Sequence, residues 1–358
     1  MLSFALMDFF QFGYTEKMEA YRLENGYTEF DVGRVILEHK ERYIVLNSKG
    51  EYDAEILGQI RFNAEKRSDF PAVGDWVVFQ EFNEGQAIIH AILPRINCLE
   101  RKSVGTESDR QLIATNIDTA FIVVAVDRDF SVNRIQRYLA IVLDSKIEAI
   151  VVLNKIDLIK PEECKELLQE IQGRIPGIPV VLASCENESG IEELKKHLEP
   201  SRTYCLLGSS GVGKSSLLNK LSGEDFMSTA SISEASVRGK HTTTHRELIL
   251  LNNGAMVIDN PGMREVGMAS TSSGIQEAFD IISNLALNCK YSDCQHISED
   301  DCAVIEALQN GEIAKADYDN CIRLQKEQEH FQSSELERKQ KGKALSKHIK
   351  NYYKSKNR

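Results

Sequence analysis

Residues 203–216 read TYCLLGSSGVGKSS and residues 149–157 read AIVVLNKID, and the order of these two stretches decides the fold. In the first, an apolar strand-like run leads into Gly208, Ser209, Ser210, Gly211, Val212, Gly213, Lys214, Ser215 and Ser216, and a helical run, SSLLNKL, follows. This is the phosphate-loop pattern G-x-x-x-x-G-K-[ST] in its proper strand-to-helix setting. The glycines let backbone amides turn inward around phosphates, and the helix N-terminus adds partial positive charge. Lys214 is expected to reach the β and γ phosphates of a nucleotide as a catalytic as well as a binding residue, and Ser215 to place its hydroxyl on Mg²⁺.

The phosphate loop does not say which base is bound. Asn154, Lys155, Ile156 and Asp157 supply the choice, because they stand at the end of a buried strand. Asp157 can accept from guanine N1 and N2, a donor pair adenine lacks, and Lys155 can pack along the base. Read alone, the tetrapeptide also suits a surface turn. A backing loop, Ala183-Ser184-Cys185, offers Ser184 as a further nucleotide contact.

After the phosphate loop, GKHTTT at 239–244 offers a threonine for Mg²⁺, Thr243 first and Thr242 second. DNPG at 259–262 offers Asp259 to hold Mg²⁺ and the Gly262 amide for the γ-phosphate. Loops in these positions sense whether that phosphate is present. Met263 stands where many GTPases carry a water-orienting glutamine, so another group must place the water. His241 is the nearest polar candidate, with His245 a weaker one and an ordinary surface histidine the plain alternative.

In an ordinary small GTPase the phosphate loop and switches precede the guanine motif; here they follow it. Cutting the chain after the second switch and joining the old ends through EPSRTY at 199–204 preserves every strand neighbour, as circular permutation does. Strands TAFIVVAV, AIVVLNKID, IPVVLAS and TYCLLGSS alternate with helices, implying a parallel sheet covered on both faces. RELILL and AMVIDNPG, joined by Asn252-Asn253-Gly254, read as a hairpin beside them. The segment leaving the second switch runs into a cysteine-rich region, so γ-phosphate loss is expected to be relayed along the chain.

Around this centre, DVGRVILE, ERYIVLN, YDAEILGQI, DWVVFQEF and QAIIHAI read as five strands with no helix between them, an OB-type β-barrel. CKYSDCQHISEDDC at 289–302 sets Cys289, Cys294, His296 and Cys302 in a C-x4-C-x-H-x5-C array, enough for one tetrahedral structural Zn²⁺ per chain with no open position. The expected organisation is multidomain: an N-terminal extension at 1–30, the barrel at 31–93, a polar connection at 94–118, the α/β phosphate-loop domain at 119–268, a mainly helical zinc-binding domain at 269–330 and a basic tail at 331–358.

The chain has 358 residues, eight cysteines and a net charge of −11. No apolar run is long enough to span a bilayer, and the cysteines suit reduced thiols or metal ligands, so a cytoplasmic, membrane-free protein is expected; a monomer is expected as well. Residues 338–358 hold nine Lys or Arg and no acid, which leaves −20 on the rest. Such a tail can reach phosphates locally or stay solvated.

NKID ahead of GSSGVGKSS, then HTTT, DNPG and the cysteine–histidine array, make this chain resemble the circularly permuted GTPases of the bacterial small ribosomal subunit, the RsgA (YjeQ) family, over about 31–325, including PAVGDWV and PRINCLERK. The resemblance implies a GTPase that binds the 30S subunit and its 16S rRNA late in assembly, hydrolyses GTP to GDP faster there, and leaves as the subunit matures. It further implies that the barrel and zinc domain are the RNA-contacting arms, that the histidine matching His241 is catalytic, and that an apolar residue belongs at Met263. Asn260 departs from the usual Ser or Thr of the DxPG motif, and Ala183-Ser184-Cys185 is a loose backing loop. A GTP-gated RNA-binding scaffold with incidental hydrolysis is the alternative; an ATP-using kinase or ATPase is opposed by Asp157.

Overall fold

The computed structural model describes residues 12–39, 42–102, 110–127, 130–223, 246–259 and 272–330. Helix α1 (Glu16–Glu24) starts where the Thr15 hydroxyl accepts the Met18 N–H. It is held to its own turn by Glu19, which takes hydrogen bonds from Tyr14 and Arg22. Tyr14 and Met18 are buried with Trp76, Val78, Ala91 and Leu93, so this stretch is a lid on the outer wall of the barrel.

The barrel strands are β1 (Asp31–His39), β2 (Arg42–Asn47), β3 (Gly50–Ile56), β4 (Trp76–Asn83) and β5 (Gln86–Ile92), with α2 (Gly58–Asn63) between β3 and β4. They close in the order β1-β2-β3-β5-β4 and back to β1, with β3 and β5 parallel. Alternate residues fill the interior, among them Val35, Tyr43, Val45, Tyr52, Ala54, Phe79 and Ile89. The expected third strand is cut short at Ile56, and the expectation of a helix-free barrel gives way to α2. The Leu57 N–H makes a last bond to Ile89 O, and Ile60 then turns back onto the barrel core.

The connection after the barrel holds its own two-stranded sheet, β6 (Cys98–Lys102) with β7 (Arg110–Thr115). Asp75, fully buried, accepts from Arg95 at 2.8 and 2.6 Å, and Arg95 also donates to Ser68 O and Phe70 O. That pair ties PAVGDWV to PRINCLERK. Arg34 is buried between barrel and sheet, donating to Phe12 O, Gly74 O and Asn116 O and touching Met256 Sδ. Among the described residues its guanidinium meets no carboxylate there, and burial brings its pKa down to about 10 although Asp118 and Asp75 pull it up.

The central domain alternates β8 (Thr119–Ala125), α3 (Val132–Asp144), β9 (Glu148–Asn154), α4 (Pro161–Arg174), β10 (Val180–Leu182), α5 (Ile191–Lys196), β11 (Thr203–Leu207) and α6 (Lys214–Ser222), then the hairpin β12 (Arg246–Leu250) and β13 (Met256–Asp259). The order is β10-β9-β8-β11-β13-β12, parallel except for β12. The phosphate-loop strand β11 thus sits between the strand that opens the domain and the strand that ends in Asp259, as the permutation argument requires. All seven residues of β8 are buried, because helices cover both faces. At its hairpin edge β12 pairs with β1, Leu37 opposite Glu247 and Glu38 opposite Arg246, so the barrel continues the same sheet.

Among the described residues no strand follows Asp259. Helices α7 (Ser272–Ala278), α8 (Asp280–Ala286), α9 (Ala303–Gln309) and α10 (315–330) form the last region. It packs on the central domain along α3, where Gly274 lies so close that a Cβ would stand 2.0 Å from Ala140 O. A polar seam completes the contact: Asp317 accepts from Gln136 and Arg174, Asn320 donates to Gln136, and Arg137 forks onto Glu327 at 2.9 and 2.8 Å.

Candidate nucleotide site and metal centre

The phosphate loop leaves β11 at Gly208 and enters α6 at Lys214. A Cβ at Gly208 (φ +148°) would stand 2.3 Å from Val123 O, and one at Gly213 (φ +98°) would stand 2.3 Å from Asn154 Nδ2, so both positions need glycine. Ser210, Gly211, Ser215 and Ser216 are exposed at the mouth, while Val212 is buried and anchors the loop to the core. Ser209 is buried beneath them. Lys214 curls back and donates to Gly208 O and Ser209 O, both at 2.8 Å. Burial pushes its pKa down, and Asp259 opposes that shift.

Asp259 pairs with Leu206 across the parallel ladder, which sets it beside the start of the loop. Its carboxyl is pushed above the ordinary range by burial, with Lys214 pulling the other way, and its Oδ1 has no hydrogen-bond partner among the described residues. An orphaned buried oxygen facing a lysine-lined phosphate loop fits a cation brought in with the nucleotide.

The tetrapeptide Asn154–Asp157 meets the phosphate loop directly: Asn154 Nδ2 donates to Val212 O at 2.8 Å across 58 residues of chain. Asn154 Oδ1, buried, has no partner among the described residues. Lys155 takes the left-handed conformation (φ 63°) and its ammonium lies 2.9 Å from Asp127. Ile156 donates its N–H to Ala183 O, and Asp157 accepts from the Ser184 hydroxyl, so the backing loop and the tetrapeptide are bonded to each other. His241, Thr243 and Gly262, like Thr242, His245, Asn260 and Met263, lie outside the described residues. Asp127 escaped sequence reasoning. Its only signal is an acid at the carboxyl end of a fully apolar strand, the end where open α/β sheets place their sites.

In the last region Cys289, Cys294, His296 and Cys302 bring one ligand atom each within 4.8 Å of the others. Cys289 Sγ lies 3.8 Å from Cys302 Sγ, and His296 Nδ1 lies 3.6 and 3.4 Å from these two sulfurs. Metal–sulfur bonds of about 2.3 Å and a metal–nitrogen bond of about 2.0 Å, set tetrahedrally, give edges of about 3.8 and 3.5 Å. The cluster therefore suits a metal ion. Glu299 braces it by accepting the N–H groups of Gln295, Ile297 and Ser298, which lower its pKa to about 2. The Tyr318 hydroxyl donates to His296 O at 2.6 Å and ties the loop to α10.

A phosphate loop and a guanine tetrapeptide that converge although the chain meets them in reverse order define a circularly permuted GTPase. Residues 92–269 match the RsgA GTPase family. The chain is 37% identical to small ribosomal subunit biogenesis GTPase RsgA 1 of Oceanobacillus iheyensis, covering 94% of this chain and 95% of that one. It is also 37% identical to the protein of the same name from Bacteroides thetaiotaomicron, covering 96% of both. The crystal structure of YjeQ from Thermotoga maritima superposes with a TM-score of 0.62 at 28% identity, over 83% of this chain and 98% of that one. YloQ, described as a circularly permuted GTPase, superposes with a TM-score of 0.61 at 25% identity, over 85% of this chain and 96% of that one. The chain belongs to the RsgA family and is a GTP-hydrolysing enzyme.

Proposed function

We propose that this GTPase acts in the biogenesis of the small ribosomal subunit, binding the maturing 30S particle and its 16S rRNA, hydrolysing GTP there and leaving with GDP. The observation that supports it is the bond from Asn154 to Val212, which joins the segment read as base-binding to the phosphate loop. The names of its relatives, small ribosomal subunit biogenesis GTPases, supply the partner.

On this reading the phosphate oxygens replace Gly208 O and Ser209 O as the acceptors of Lys214, and the amides of Ser209 to Ser216 wrap the phosphates. Asp157 takes the guanine edge beside Ser184, while Asn154, Lys155 and Ile156 shape the slot. Ser215, Thr243 and Asp259 would hold Mg²⁺, which when bound would offset phosphate charge. His241 orients the attacking water, Met263 being unable to, and the Gly262 amide meets the γ-phosphate. Placement and charge stabilisation do most of the work in phosphoryl transfer, so an orienting histidine suffices.

The barrel at 31–93 and the zinc-held helical region at 269–330 act as arms around the nucleotide domain at 119–268, the enzyme working as a cytoplasmic monomer. The outward residues of β3, Glu51, Asp53 and Glu55, are all exposed acids, so the barrel's RNA contacts fall away from that wall. GTP turnover measured with and without purified small ribosomal subunits tests the proposal. Stimulation of about tenfold or more, the scale on which groups supplied by a partner act, is expected. Equal rates would leave the GTP-gated scaffold.

A further inference from the structure

We propose that Asp127 is a positioning residue of the guanine slot, fixing the Lys155 side chain before any nucleotide arrives; this rests on reading Asn154 to Asp157 as the base-binding loop. Strands β8 and β9 run parallel with Ala125 beside Asn154, and Val126 N–H bonds to Asn154 O at 3.1 Å. The two strand ends therefore leave the sheet together, and Asp127 emerges next to Lys155. Its Oδ2 lies 2.9 Å from Lys155 Nζ.

Both halves of Lys155 are constrained. Its backbone sits at φ 63°, a region L-residues avoid, held on the far side by Ile156 N–H bonding to Ala183 O at 3.3 Å. Its side chain, about a third exposed, is held by Asp127. A lysine carries four rotatable carbons, and a slot walled by a loose stem must order it on each binding event. With the ammonium tethered to Asp127, the methylene stem is held where the loop leaves β9. The sequence carries the same arrangement: the acid closes FIVVAVD two residues past β8, and the lysine is the second residue of NKID, one past β9.

A base held equally in ground and transition states changes affinity and leaves the chemical step alone. Asp127→Asn is expected to raise the Kd for GDP and the KM for GTP about three- to tenfold with kcat within about twofold, and Asp127→Glu to recover most of the loss. An ion pair whose partners are each about a third exposed contributes little to folding, so the apo unfolding midpoint should stay put, a result a merely structural role would not give. The decisive measurement is a double-mutant cycle on GDP affinity: in a Lys155→Ala background, Asp127→Asn should have no further effect. If Asp127→Asn weakens GDP just as much without Lys155, or not at all while Lys155→Ala does, Asp127 is not the anchor and the guanine loop stands. If Lys155→Ala leaves GDP affinity untouched, the reading of the loop itself fails and the proposal with it.

Discussion

Asp259 and Lys214 share a dry corner, and the balance between them fixes a testable asymmetry. Burial raises the Asp259 carboxyl more than Lys214 lowers it. A native-state pKa above the unfolded value means this group adds most to stability below about pH 3.9, and the contribution is lost as pH rises through the native pKa. Asp259→Asn removes that loss, and Lys214 keeps its two carbonyl acceptors. In denaturant titrations without nucleotide the variant should be more stable than the parent near neutral pH, the gap closing toward about pH 4, while GTP turnover falls about tenfold or more. Asp157 makes a second prediction at this scale. Asp157→Asn turns an acceptor into a donor, so GDP affinity should fall by about a hundredfold or more and xanthosine diphosphate should bind in its place, as competition binding would read. Both residues stand out in the sequence because their motifs end buried strands. Asp127 does not, since a single acid carries no spacing, and only the parallel register of β8 and β9 brings it to Lys155.

Elements with strong apolar periodicity were read correctly: the buried strands of the central sheet, helix α3 and the hairpin β12–β13 follow from their own sequences. Those missed share a cause. Helix α2 is a polar six-residue turn of chain whose helicity comes from its seat on the barrel, and α1 buries only Met18 within its span. The sheet β6–β7 hides Leu99, Leu112 and Ile113 within a segment whose overall polarity reads as a connection. Propensity is weak in such short pieces and tertiary packing decides. The metal loop lies at the opposite extreme, legible from ligand spacing while lacking regular structure. From Asn288 to Cys302 it is turn and bend, with His296 and Asp301 at positive φ. Stripping the metal with a strong chelator should therefore melt the helices at 272–330, seen as lost far-UV ellipticity and faster amide exchange there, while exchange in the central sheet stays slow. One equivalent of released zinc per chain is the accompanying expectation.

At the scale of the whole molecule the permuted order was readable, because only one sheet places NKID and the phosphate loop together. The joins between regions were not. Sequence reasoning tied the helical region to the second switch through the chain itself, residues 260–271, which lie outside the described part. The structure adds a lateral tie in which Arg174, at the far end of the helix that follows the guanine loop, grips Asp317 on α10. Gln136 and Asn320 thread the same contact. Residues this far apart announce nothing to one another in a linear reading.

The splice of β1 onto β12 has a further consequence. A rim of a sheet offers unspent amides and carbonyls to any passing strand, and a nucleotide module cut free of its neighbour would carry that rim bare. Here two rungs cap it, Leu37 with Glu247 and Glu38 with Arg246. With β1 in that place, the rim of the nucleotide sheet is spent inside the molecule and not left open to a neighbouring copy.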